Sequence, residues 1–232
     1  MRVRAAVLSF VLLVACATGC GPLHQAKPSA SAQAEAPSGL DDPVLPLSPM
    51  LNQFVKPEVT ELSWHDKPDS SEWTVVPAEC QLVGEAGYAD QWGQSWTKFR
   101  RLVLADTKSA HPPFVDTVSE VWVEEIMVQY PGEAAARNAY NGMTSNFAQC
   151  DNRMLSSKSK LGTVTPWLPK VYELTATKAR WENLQGGSTY WGCASEARLS
   201  GYAIVSATIC SRDPKRGETV GKIADLMGDV RA

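Results

Sequence analysis

Histidine is scarce in this chain, with three in 232 residues, and none of them shares a motif with a nucleophile. His24 lies in a Pro/Ser/Ala-rich stretch, His65 in a polar segment and His111 beside "PPF". There is no Gly-x-Ser-x-Gly elbow, no His-Glu-x-x-His and no phosphate-cradling Gly-rich loop, which removes the common signatures of hydrolases, zinc proteases and nucleotide enzymes. Positive charge is short as well. The 22 Lys and Arg are outnumbered by 25 Asp and Glu, and no polybasic cluster occurs beyond Arg2 and Arg4. A net charge of -3 excludes the basic face that a nucleic-acid binder needs. Cys-x2-Cys pairs are absent too, and neither a zinc ribbon nor any other cofactor is implied. The chain shows no internal repeat.

The longest uncharged apolar run near the start, Ala5 to Ala15, has one polar residue, Ser9, and covers little more than half a bilayer at about 1.5 Å per residue. A basic start, a short apolar core and small residues at its end define a secretory signal rather than a membrane span. Leu13-Val14-Ala15-Cys16 then resembles the bacterial lipobox, in which the cysteine is acylated and the signal is cut just before it. Cys20, after Ala17-Thr18-Gly19, is the alternative register. Residues 1–15 are thus expected to be a lipoprotein signal peptide and 16–47 a lipid-anchored flexible tether, whose composition cannot bury enough surface to fix itself. The expected location is the outer side of a cell membrane, with the lipid as the membrane contact. Residues 48–232 are sized for one domain.

Within that domain "PGEAAARNAYNGMTSNFAQC" predicts a helix with an apolar stripe of Ala136, Ala139, Tyr140, Met143, Phe147 and Cys150. The last segment predicts a helix with Asp213 as N-cap and Pro214 at its first position, burying Val220, Ile223, Ala224 and Met227. Gly217, Gly221 and Gly228 lower its propensity, so docking must hold it. A weaker helix is expected in "PAECQLVGEAGYADQW". Strands are expected in "KFRRLVLA", "EVWVEEIMVQY", parts of "NRMLSSKSKLG" and "PKVYELTATKARWE", "STYWGCASEA" and "GYAIVSATIC". The pattern describes an α+β domain with a mostly antiparallel central sheet and flanking helices.

Four cysteines fall within the domain, Cys80, Cys150, Cys193 and Cys210, and they permit three pairings. Cys193 and Cys210 bracket a hairpin centred near Gly201, and joining them leaves Cys80 with Cys150. Both bridges read as structural staples.

The order of Cys80, "VWVEEIMVQYPGEAAARNAYNGMTSNFAQC", "GCASEARLSGYAIVSATIC" and a closing helix resembles the extracellular sensor domain of mycobacterial PknH kinases and the actinobacterial lipoproteins built on it. The resemblance covers about residues 78–230. It implies the same two disulfides, a mixed, largely antiparallel sheet and a V-shaped cleft for an unidentified ligand. Two features depart from the family: prolines break "LPLSPMLNQFVKPEVTELSW" where a leucine-rich helix is usual, and Ala203 stands where Asn is common. With no kinase domain ahead of it in this chain, no phosphotransfer of its own is expected.

A non-catalytic binding domain is therefore expected, taking up a small molecule, glycolipid or peptide. Docking to an envelope protein is the alternative, and an envelope hydrolase is the reading least favoured. Of eight tryptophans most belong to the core, but Trp92 and Trp96 in "DQWGQSW" combine stacking surface with nearby amides. Glu124 is the third candidate contact, because it falls on the apolar side of "VWVEEIMVQY" with Trp122, Ile126 and Val128. A carboxylate there must be solvated in a cleft, paired with Arg100, Arg101 or Arg180, or turned outward by a bulge between Val123 and Ile126. Glu125, its neighbour, faces the opposite, more mixed side, so the two cannot act as a catalytic pair.

Overall fold

A computed structural model describes residues 45–68, 73–84, 92–106, 120–159, 162–186 and 190–229. The expected signal peptide, Cys16, Cys20 and most of the expected tether lie outside the described residues. Packing already begins at Leu45, which is fully buried three residues ahead of the expected domain start. Among the described residues no helix is long and apolar enough to cross a membrane.

The chain opens with a single helical turn, α1 (Ser48–Leu51), with Pro49 in its first turn. Then come β1 (Val59–His65), β2 (Trp73–Val76), a 3-10 turn at Ala78–Cys80, α2 (Gln81–Gly84), β3 (Lys98–Asp106) and β4 (Val121–Gln129). Two helices follow, α3 (Glu133–Thr144) and α4 (Phe147–Cys150), and five strands, β5 (Leu155–Ser159), β6 (Val164–Leu174), β7 (Lys178–Gln185), β8 (Gly192–Ser200) and β9 (Ala203–Ser211). The last element is α5 (Arg216–Asp229). The described strands form one sheet in the order β1-β3-β4-β9-β8-β7-β6-β5-β2, antiparallel at every step.

Alternation along the central strands sends side chains to two separate cores. On the front, Phe99, Ile126, Val128, Trp181, Leu199 and Ile204 pack with Tyr140 and Met143 of α3, Phe147 of α4, and Trp92. On the back, Leu102, Leu104, Val123, Met127, Val205 and Ile209 pack with Val220, Ile223, Ala224 and Met227 of α5. Leu51 and Val55 of the N-terminal strap join the back core. β9 is buried along its whole length, because it lies at the sheet centre with a helix layer on both sides.

The single helix expected between residues 131 and 150 is two. Thr144 Oγ1 donates to the Tyr140 carbonyl at 2.9 Å and Ser145 Oγ to the Gly142 carbonyl at 2.8 Å. Such bonds back to the preceding turn compete with the helical ladder and bend it. After the break, Phe147 meets Trp181 edge-on, with ring centroids 4.8 Å apart. Cys150, at the end of α4, is bonded to Cys80, with Cα atoms 5.8 Å apart. The other disulfide joins Cys193 and Cys210, which stand directly opposite each other in β8 and β9. Gly201, at φ 55, takes the left-handed conformation in the turn between those strands.

The weaker helix expected from Pro77 onward is only the 3-10 turn and four residues of α2, and residues 85–91 lie outside the described part. At the chain's end Asp213 Oδ1 accepts the Lys215 N–H at 2.8 Å, and α5 begins one residue later, at Arg216. Gly217 has a positive use there. A Cβ on it would stand 3.0 Å from Arg180 Nη2 and Glu182 Oε1, so the glycine lets the first turn of α5 settle onto a charged part of the sheet.

Candidate functional site

The front of five neighbouring strands carries a row that an all-apolar core would lack. Val103, Glu124, Thr208, Ser195 and Trp181 stand side by side across β3, β4, β9, β8 and β7. Two residues along β3 from Val103, Arg101 points to the same face, and its Nε donates to Glu124 Oε1. Both ends of this ion pair are sealed, Arg101 at 2% exposure and Glu124 at 3%. The hydroxyls of Ser195 and Thr208 bond each other across the strands at 2.9 Å. At the end of the row Trp181 Nε1 donates to the Val83 carbonyl at 3.2 Å, and Asn183 Nδ2 donates to the same oxygen. Asn183 Oδ1 is buried without a partner among the described residues.

Of the three accounts open for Glu124, the pairing with Arg101 is the one observed. The bulge is not: β4 keeps regular register with both β3 and β9 through Val123–Ile126. Trp92 is 1% exposed, sits in the front core, and accepts the Tyr130 hydroxyl on its carbonyl at 2.8 Å. Its ring is therefore core and offers no stacking surface in this conformation. Trp96 is partly buried at the rim of the same core, 6.1 Å from the Phe99 ring. Phe99 stands opposite Val128, four residues along β4 from Glu124, which is roughly 13 Å at the strand rise. The two tryptophans and Glu124 share a face but do not converge.

Glu125 makes the stronger demand. It is fully buried on the back, between Leu102 and Ala207 of the neighbouring strands. Neither carboxylate oxygen has a partner among the described residues. Burial first, and the charge of Glu61 second, push its pKa well above the ordinary carboxyl range, so the proton is held more tightly. The sequence pattern hid this, since a lone Glu at an alternating position reads as solvent-facing until α5 and the N-terminal strap are placed over it. The Ser195–Thr208 pair was missed for a related reason: small hydroxyls inside β-rich runs look like ordinary strand residues.

An open groove of about 470 Å³ lies elsewhere, lined by Lys56, Pro57, Glu120, Val121, Ser211, Arg212 and Asp213. It contains charges of both signs and none of the candidate contacts. Among the described residues no group of three or more His, Cys, Asp or Glu comes together to hold a metal ion.

One antiparallel sheet, helices on both faces and two disulfides define a disulfide-bonded α+β domain. The chain belongs to the PknH-like extracellular domain family, whose model matches residues 36–229. It is similar in fold to the crystal structure of the extracellular domain of PknH from Mycobacterium tuberculosis, at 19% identity and TM-score 0.66 over 80% of this chain and 93% of that one. An X-ray structure of an uncharacterized protein from Mycobacterium smegmatis aligns at 11% identity and TM-score 0.39, over 80% and 95% of the two chains. No curated protein matches the sequence.

Proposed function

We propose that this chain is a cell-envelope lipoprotein whose domain is a non-catalytic sensor, taking up a small molecule or envelope component on the front of its sheet. The observation that carries the reading is the buried polar row of Arg101, Glu124, Thr208 and Ser195. Moving an ion pair out of water is costly, and a well-packed apolar core of the same volume is often as stable or more so. A row of charge and hydroxyls at the centre of a core face is better accounted for by recognition than by stability. Because Glu124 is already matched by Arg101, an uncharged, hydroxyl-bearing ligand suits the row better than a cation. The opposite facing of Glu124 and Glu125 argues against carboxylate-pair hydrolysis on this strand.

A second reading, docking of a membrane-protein partner, draws support from the closed state of the row and from the open groove standing away from it. Thermal melting of the lipoprotein against fractionated envelope lipids and glycans separates the two. The sensor reading expects one fraction to raise Tm, and expects Ser195→Ala with Thr208→Val to abolish that rise. No shift with any fraction, together with a membrane protein crosslinked through Lys56 at the groove, would replace it with the docking reading.

A further inference from the structure

The strap that leads into the domain, "LPLSPMLNQFV", is apolar on more than one side, and the domain covers only one of them. Leu45 and Leu51 are fully buried in the back core. Polar clips fix that seating. The Ser48 N–H donates to Glu61 Oε1 at 2.9 Å, and the Asn52 side chain bonds the N–H of Val59 at 2.8 Å and its carbonyl at 3.0 Å. On the outer side Leu47 is 43% exposed and Met50 38%.

Trp64 belongs to the same corner. Glu61, to which α1 is clipped, and Trp64 stand opposite Leu104 and Leu102, alternate residues of β3, so both project to the back of the sheet. β1 is the edge strand, and Trp64 is 49% exposed. The neighbouring Lys56 and Glu58 pair with each other at 3.4 Å and Glu61 adds a carboxylate, so this rim carries no excess of positive charge.

We propose that Leu47, Met50 and Trp64 seat this corner of the domain in the headgroup region of the bilayer that anchors the chain. The position of the patch along the chain selects the occupant. Residues 16–44 separate the acylated cysteine from Leu45, and a flexible chain of that length spans roughly 30 Å. The patch is therefore held close to the membrane, where tethering makes a weak contact effective. An exposed Trp beside aliphatic side chains is suited to the bilayer interface, with its ring among the headgroups. Since the rim has no excess of positive charge to draw it to anionic lipid, zwitterionic lipid is the matching surface. The inference rests on the lipoprotein reading for the tether but not for the patch.

The test uses the full chain purified from membranes that process it, reconstituted in phosphatidylcholine vesicles with or without bromine near the top of the acyl chains. Brominated lipid is expected to quench part of the tryptophan emission. Trp92 and Trp181, each 1% exposed in the core, lie out of reach. Most of the quenching should disappear in Trp64→Phe, and also in Leu47→Ser/Met50→Ser, which retains Trp64. Quenching unchanged in both variants, or absent from acylated wild type, overturns the docking and leaves the anchor. Quenching by added vesicles in a protein whose intact mass shows no acyl group overturns the anchor and keeps the docking. A dimer in detergent that Leu47→Ser/Met50→Ser dissociates assigns the corner to a second copy instead, and overturns the proposal.

Discussion

On the front of the sheet, Glu124 gives an oxygen to Arg101 and is sealed with it; on the back, Glu125 is fully buried with neither oxygen partnered among the described residues. The two are adjacent in one strand, equally polar and equally dry, so burial alone does not separate them. What differs is the diagonal neighbour on β3. Arg101, diagonal to Glu124, turns its Nε onto the carboxylate. Arg100 holds the corresponding diagonal to Glu125, yet its Nη1 donates to the Phe99 carbonyl at 3.3 Å. Two strands farther along the back row Glu196 is also buried, but Arg198 reaches it through Nε at 2.6 Å and Nη2 at 2.5 Å. Of these three buried glutamates on the sheet, Glu124 and Glu196 are each matched by an arginine and Glu125 is not.

The largest expected effect breaks the front pair. Glu124→Met deprives buried Arg101 of its carboxylate and should cost about 3 kcal/mol in urea unfolding, while Glu124→Met/Arg101→Met should recover most of that loss. A single-variant cost below about 1 kcal/mol would remove the contrast between the faces. A smaller effect compares the helices that cover them. Gly217→Ala in back helix α5 places a Cβ 3.0 Å from Arg180 and Glu182, and overpacking there should cost about 1–2 kcal/mol. Gly142→Ala in front helix α3 meets nothing within 4 Å and should instead gain about 0.5–1 kcal/mol. Equal effects at the two sites would deny α5 its close approach.

The smallest effect sharpens the back face and depends on pH. Because the folded state raises the pKa of Glu125, protonation favours folding. Its contribution to stability is fully present below the ordinary carboxyl value of 4.5 and is lost as pH rises toward the folded value. Glu125→Met should therefore melt higher than wild type at neutral pH, by a few degrees, since about 1 kcal/mol moves Tm by roughly 2–4 °C in a domain of this size. The advantage should shrink as pH falls from the raised folded value toward 4.5, and change no further below it. A pH-independent difference would show that Glu125 keeps an ordinary acidity.

Much of the fold was legible where residue type and spacing act locally. The α3 stripe, the α5 apolar face, the hairpin around Gly201 and the run of strands from Leu155 onward all follow from period and turn chemistry. β1 and β2 were not legible. β1 has the burial sequence of an edge strand interrupted by a bulge at Glu61–Ser63, so alternation is blurred, and β2 has only four residues. Glu124 announced itself because it broke an aromatic and aliphatic side; Glu125 did not, because its side became apolar only when α5 and Leu51 were laid over it.

By itself the sequence determined the apolar faces of α3 and α5, most of the central strands, the antiparallel α+β class and the expectation of two staples, since these depend on periodicity and on cysteines placed around a short hairpin. Only the tertiary structure decided which carboxylate found a cation, that Trp92 is core, and that Leu47, Met50 and Trp64 stand on one corner. Those outcomes depend on side chains brought together from strands far apart in the chain, and local patterning carries no information about distances across a sheet.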